Sequence, residues 1–243
     1  MLERLFDLAD KVSLVIQKTI KTAYIERSDP KQQLYMSFFC KIVNSFDSSM
    51  ILIKKGYNQD AGTVARSMLE CLFVLKACML SSDYFEKFLS THSTSINYFI
   101  KRQSSFFARK DNDKETRNKN VGDYLARLEA LKDDYKDATG VRLDFYDAAK
   151  VSKLEDMYDI YYNLLSMDCV HPTFRSLDLL VESDCSGEIE RIKAGPNFGL
   201  SKKMILIVAH IIITSLNCIN SEFKLGLDDD IDSLFSEFKV INR

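Results

Sequence analysis

Apolar residues recur along this chain at intervals of three and four, and they do so in almost every stretch between turn signals. Leu5, Leu8, Val12, Val15, Ile16 and Thr19 fall on one stripe with charges opposite, which predicts a first helix over residues 2 to 27. Asp29-Pro30 is a helix start, with Asp as N-cap and Pro in the first turn. From there a stripe of Met36, Phe39, Val43, Phe46, Met50 and Ile53 predicts a second helix to Lys55, ended by Gly56. The third helix, about 58 to 80, is apolar nearly all round from Met68 to Leu80, so it is expected at the centre of the fold. Asp83 followed by Glu86 resembles a capping box and opens a fourth helix carrying Phe85, Phe88, Leu89, His92, Ile96, Phe99 and Ile100.

Between Lys101 and Lys119 the pattern turns polar and basic, which predicts a mobile connecting loop. Lys101, Arg102, Arg109, Lys110, Lys114, Arg117 and Lys119 outnumber Asp111, Asp113 and Glu115. A fifth helix is expected over about 120 to 138, with Tyr124, Leu125, Leu128 and Leu131 inward and Gly140 at its end. A short helix follows near 144 to 150. Ser152 with Glu155 reads as a capping box for a Tyr-rich helix to Ser166. Thr173 is expected to cap a short helix to Val181. Residues 183 to 199 read as loop with room for a small hairpin. Ser201 opens a long apolar helix, and Asp228 to Asp230 open a last one to Phe238. The result is an all-α, single multi-helix domain of about eight helices, spanning residues 1 to 243 around a buried central helix. No repeat of 20 to 50 residues and no low-complexity tract interrupts it.

Composition narrows this picture. Eight Gly and three Pro are few breakers for 243 residues, in keeping with long helices. A net charge of −2 offers no global field for nucleic acid or an acidic membrane, so any such binding needs a local patch. The six cysteines lack C-x-x-C spacing, which favours reduced thiols in a cytoplasm over a zinc site or disulfide framework. The N-terminus carries acids and no continuous apolar stretch, unlike a signal peptide. The apolar run Met204 to Ile219 is shorter than the ~20 residues that span a bilayer and contains His210 and Asn217. It reads as a core helix, and no membrane association is expected.

Candidate chemistry concentrates in two places. Arg66 and Glu70 stand four apart on the apolar third helix, where charges must be paired or face a cavity. One reading is a buried structural ion pair. The other is a polar centre in which Arg66 holds an anion and Glu70 orients a neighbour or acts as base. Residues 158 to 172 read YDIYYNLLSMDCVHP. Tyr158, Tyr162 and Ser166 share a face pointing along the chain towards His171, whose position before Pro172 biases it towards extended backbone. His171 suits proton transfer near neutral pH, and equally suits capping the last carbonyls of the Tyr-rich helix. The three hydroxyl residues are candidates for substrate binding, or an ordinary half-buried stripe. His210 reads as a satisfied core histidine and His92 has no stronger claim. Asp228, Asp229, Asp230 and Asp232 lack calcium-loop spacing and suit a helix start. No P-loop, G-x-G-x-x-G, G-x-S-x-G or H-E-x-x-H occurs, which disfavours nucleotide-driven motors, Rossmann dehydrogenases and α/β-hydrolases. No metal and no cofactor is expected.

The segment NQDAGTVARSMLECLFVLKACMLSSDYFEKF, with its R-x-x-x-E core at Arg66 and Glu70, resembles the central helix of a widespread bacterial family of all-helical proteins of uncharacterised function. FYDAAKVSKLEDMYDIYYNLLSMDCVHP resembles that family's second signature, Y-x-x-x-Y-x-x-L-S-x-x-x-x-H-P, matched at Tyr158, Tyr162, Leu165, Ser166, His171 and Pro172. The resemblance covers residues 57 to 175. It implies that the Arg/Glu helix packs near the Tyr/Ser/His segment and carries no established activity. It also implies a place among defence-associated proteins, as a phage-defence or toxin-type effector. A weaker similarity is to helical ribonuclease domains of prokaryotic toxins, whose signature is Arg, four to six residues, then His. None of His92, His171 and His210 has that Arg, which counts against RNA cleavage of that kind. Two readings therefore stand. One is an effector acting on RNA, a nucleotide or another phosphate-bearing substrate as a metal-independent nuclease or transferase, with His171 as acid/base, Arg66 on the anion and Glu70 orienting. The other is a non-enzymatic binding or regulatory module that meets a protein partner or forms a homodimer.

Overall fold

Helix α1 (Leu2–Thr22) buries the predicted stripe, with Leu5, Leu8 and Val12 fully enclosed. It ends five residues earlier than the periodicity suggests, because the chain must reverse before the next start signal. The computed structural model describes residues 2–110, 126 and 142–242. At that start signal Asp29 accepts from the Lys31 and Gln32 amides at 2.8 and 3.1 Å, and Pro30 opens α2 (Pro30–Lys54). Gly56 turns the chain into α3 (Asn58–Leu80) with a φ of +81°, and a Cβ there would lie 2.8 Å from Pro196 Cβ.

Helix α3 is the centre of the molecule. It packs against α2, α4 (Ser82–Lys110), α5 (Phe145–Ser152) and α8 (Ser201–Phe223), and Met68, Leu69, Leu72, Phe73 and Leu75 are wholly buried. Removing a side chain the size of Phe73 from water is worth roughly 1.5–3 kcal/mol, which is why the apolar-all-round segment occupies this position. The buried apolar residues form one continuous cluster from α1 to α9 (Asp228–Ile241). Helix α9 lies on α1 and α8, and Lys11–Glu237 at 2.7 Å and Lys18–Asp230 at 2.8 Å tie it to α1 at the surface. The all-α expectation holds, with one small addition: β1 (Val181–Ser183) and β2 (Ile189–Ile192) pair antiparallel in a hairpin that starts two residues ahead of the 183 to 199 segment expected to hold one.

Several expectations fail locally, the first being the Asp83 cap: α4 starts at Ser82 and the Ser81 hydroxyl accepts from the Tyr84 amide at 3.1 Å. Residues 101 to 110 are the last turns of α4 rather than loop. The rest of the expected basic loop and the expected helix over 120 to 138 lie outside the described residues, apart from helical Ala126. Ser152 does not cap the Tyr-rich helix. Its hydroxyl donates to the Ala149 carbonyl at 2.9 Å and closes α5, and Lys153 then takes the left-handed conformation at φ 57°. Helix α2 and helix α8 are both long and apolar enough to cross a membrane. Two-thirds of the α8 window is buried against its neighbours, as expected of a core helix.

The Tyr-rich helix, α6 (155–170), is not a regular α-helix. Tyr158–Tyr162 and Ser166–Val170 each form a π-turn, separated by a short α-helical stretch at Asn163–Leu165. The amides of Asn163 and His171 accordingly bond back five residues, to Tyr158 and Ser166. Such turns are rare and often mark functional sites. A short α7 (Phe174–Asp178) follows, capped as foreseen by Thr173 but ending before the expected Val181, which opens β1.

Candidate functional site

Helices α3 and α6 run antiparallel, and successive contacts set their register. Gln59 donates to the Asp168 carbonyl at 3.1 Å, Gly62 faces Leu165 and Cys169, Arg66 meets Tyr162, and Phe73 lies against Tyr158. This register places Arg66 and Glu70 beside the first π-turn. Arg66 Nη2 donates to the Tyr162 hydroxyl at 2.7 Å, and that hydroxyl donates onward to Glu70 Oε1 at 3.3 Å. The direct Arg66–Glu70 separation is longer, at 3.5 Å. The guanidinium also sits over the Tyr162 ring, 4.6 Å from its centre. On that ring Tyr158 stacks at 4.6 Å and 15°, an overlap favoured by the π-turn, which brings residues four apart closer to eclipse than an α-turn does.

Tyr162 is the buried member of this centre. Arg66 and Glu70 keep side-chain exposures of 19% and 26%, so the two charges reach the edge of the core. Burial nevertheless pushes the Glu70 carboxyl above its ordinary value, and Arg66, the Tyr162 hydroxyl and Lys41 only partly pull it back. One atom stands out. Arg66 Nε is buried and has no hydrogen-bond partner among the described residues, while the far end of the same guanidinium is held fast.

The remaining predicted residues go elsewhere. The Ser166 hydroxyl donates to the Tyr162 carbonyl at 2.6 Å, so it serves its own helix. His171 has the extended backbone expected before proline, and its side chain is exposed. It lies nine residues beyond Tyr162, on the order of 10 Å along the helix axis, and beyond the level of Gln59 on α3. The structure therefore brings Arg66, Glu70, Tyr162 and Tyr158 together and leaves His171 outside hydrogen-bond reach of them.

A second polar knot fixes the His-Pro corner. Asp168 is 3% exposed and is bonded by Arg175 Nε, with Lys203 at 3.5 Å. Ser176 donates to the His171 carbonyl at 2.9 Å, and Thr173 and Ser176 complete a reciprocal capping box. Thr173 was expected as a cap, but Asp168, Arg175, Ser176 and Lys203 escaped the sequence reading. A carboxylate embedded between apolar residues at a helix end, with an arginine seven positions later, was their only signal. His210 is the satisfied core histidine expected: Tyr161 Oη lies 3.0 Å from its Nδ1, and Phe238 stacks on it at 4.9 Å. Burial pushes its pKa down. His92 is exposed on α4, and Asp228 and Asp230 are engaged by Asn220 and Lys18. Among the described residues no three His, Cys, Asp or Glu side chains gather as metal ligands.

A family model described as a family of unknown function (DUF5677) matches residues 32–189, about two-thirds of the chain. The chain belongs to that family. The match takes in the whole of α3 and α6, and with them the Arg66–Tyr162–Glu70 centre and the His-Pro corner. It extends beyond the 57 to 175 core inferred from the two signatures, to include most of α2 and the first hairpin strand. No curated protein and no solved structure matches the chain.

Proposed function

We propose that this protein is a helical effector or regulatory module that recognises a phosphate-bearing ligand at the Arg66–Tyr162–Glu70 centre. The observation that carries this reading is the divided state of Arg66. Tyr162 holds one guanidinium nitrogen, the side chain keeps 19% exposure at the edge of the core, and the guanidinium has donors beyond that one bond, for which a phosphate oxygen is the best-matched acceptor. The Tyr162 hydroxyl donates a hydrogen bond to Glu70, whose pKa burial raises, and this keeps the phenol oxygen fixed towards Arg66. The test is calorimetric titration of the chain with inorganic phosphate, a mononucleotide and a short single-stranded RNA. Arg66→Lys retains charge but loses the fork, and binding falls at least tenfold with an unchanged circular dichroism spectrum. Equal binding by Arg66→Lys would remove this reading and leave a packing lock between α3 and α6.

A second reading makes the protein a phosphodiester-cleaving effector of the phage-defence or toxin type, active in the cytoplasm without a membrane. It is favoured by one observation: His171 is exposed on the same helical segment that carries Tyr162, on the order of 10 Å away. An RNA strand is long enough to lie on Arg66 and present a second linkage to His171 as acid/base. Incubation of a labelled RNA with the wild-type chain and with His171→Ala decides it. Cleavage that survives His171→Ala assigns the activity elsewhere. No cleavage by either leaves recognition alone, by a module that acts through a protein partner or a second copy.

A further inference from the structure

On the other side of α6 from Arg66, the first π-turn forms one wall of a cleft of about 470 Å³ against α8. Its walls are apolar: Ile160 and Leu164 on α6 face Leu206 and Ile207 on α8. The volume lies within the ~300–1,000 Å³ of small-molecule sites. Ile160 is 62% exposed, although such a side chain gains by burial. Tyr161 completes the wall with a ring that cannot swing freely. Its hydroxyl is bonded to His210 in the core beneath, and its ring packs edge-on against that imidazole at 5.6 Å.

The charge of the cleft is one-sided. Lys202 and Lys203 both line it, and among the described residues no Asp or Glu does. Lys203 is drawn towards Asp168, and Arg175 engages that same carboxylate. Lys202 is exposed and forms no ion pair among the described residues. An apolar slot with a cation at its edge and no lining acid is complementary to a molecule with an apolar body and one negative end. We propose that this cleft binds a small amphipathic carboxylate, its apolar body between Ile160, Leu164, Leu206 and Ile207 and its carboxylate against Lys202. A neutral molecule of the same shape gives up the Lys202 contact, and an ammonium of the same shape meets two like charges.

The chain contains no tryptophan, so Ile160→Trp, at an exposed position, provides a single fluorescent reporter inside the cleft. Titration of this full-length variant with octanoate gives a saturable emission shift. Octanol and octylammonium bind at least tenfold more weakly, and adding Lys202→Glu weakens octanoate at least tenfold. Adding Arg66→Lys leaves the octanoate titration unchanged, which separates this cleft from the phosphate site. Absence of a saturable shift overturns the proposal. So does equal response to octanoate and octanol with no effect of Lys202→Glu, which is apolar adsorption only.

Discussion

Arg66 is bound to Tyr162 twice, through the hydroxyl at 2.7 Å and over the ring at 4.6 Å from its centre. The tyrosine is therefore the true partner of the arginine, and Glu70, at 3.5 Å, is the secondary one. An i, i+4 pair with Arg first contributes only about 0.3 kcal/mol on a helix surface, so most of the cohesion here crosses from α3 to α6.

Tyr162→Phe separates the two halves of that interaction. The ring, its stack on Tyr158 and its contacts with Phe73 and Phe145 remain, and only the hydroxyl is lost. The expected cost is about 1 kcal/mol, read as a lower urea midpoint at constant slope. Tyr162→Ala also removes the buried ring and costs about 3–5 kcal/mol. Equal losses for the two variants would show that the hydroxyl network, not the ring, holds α6 in place.

Glu70 gives the centre a pH signature. Its folded-state pKa is raised, so between the ordinary glutamate value and the raised one the native chain holds more proton than the unfolded chain. Stability therefore falls as pH rises through that window. Glu70→Gln cannot titrate and lacks this slope. Denaturation of both proteins from pH 4 to pH 7 should show wild type losing stability relative to Glu70→Gln as pH increases. An opposite trend would mean that Arg66 outweighs burial.

The helices were legible because their apolar repeats, caps and breakers agree. Asp29-Pro30, Gly56 and Ser201 all stand where a start or turn was expected. Charges on an apolar helix showed only that Arg66 and Glu70 need some partner; that the partner lies in the Tyr segment was implied by the family resemblance. The π-turns were not. Tyr158, Tyr162 and Ser166 are spaced as an α-helix would have them, and nothing in side-chain type distinguishes a five-residue from a four-residue hydrogen bond. That difference ends α6 at an exposed His171, while the Ser176 and Asp168 contacts that hold the corner lie off the helical repeat.

His210 responds to acid in the opposite sense to Glu70. Burial lowers its pKa, so below about 6.5 the unfolded chain takes up a proton that the native chain resists. Stability from this group is present above that value and is lost as pH falls. The difference between wild type and His210→Gln should shrink from pH 7 to pH 5. Tyr161→Phe leaves Nδ1 without its partner and costs about 1–2 kcal/mol at pH 7.

At the His-Pro corner, exposure predicts a dissociation between chemistry and stability. His171→Ala removes an exposed ring and should shift stability by no more than about 0.5 kcal/mol. Ser176→Ala removes a buried hydroxyl that serves the His171 carbonyl and the capping box, and should cost about 1–2 kcal/mol. A large loss in His171→Ala would assign the histidine to the scaffold and end its candidacy as an acid/base.

The closest approach of α3 to α6 supplies the sharpest test of their register. Gly62 lies inside α3, where alanine ordinarily stabilises by about 1 kcal/mol. Here an added Cβ would meet Cys169 Sγ at 2.3 Å, Cys169 Cβ at 2.9 Å and Leu165 Cδ2 at 3.3 Å. Both partners sit on α6, so relief requires α6 to move away from α3, and that movement lengthens the Arg66–Tyr162 bond about one turn along. Gly62→Ala should therefore destabilise by about 1–3 kcal/mol, contrary to propensity. It should also weaken phosphate binding at Arg66 without touching a residue of that site. Cys169→Ala removes the nearest atom, so the double variant should recover part of both losses and show a coupling of about 0.5–3 kcal/mol. Strict additivity of the two substitutions would mean that Gly62 and Cys169 do not share this contact, and the antiparallel register that places Arg66 beside Tyr162 would fall with it.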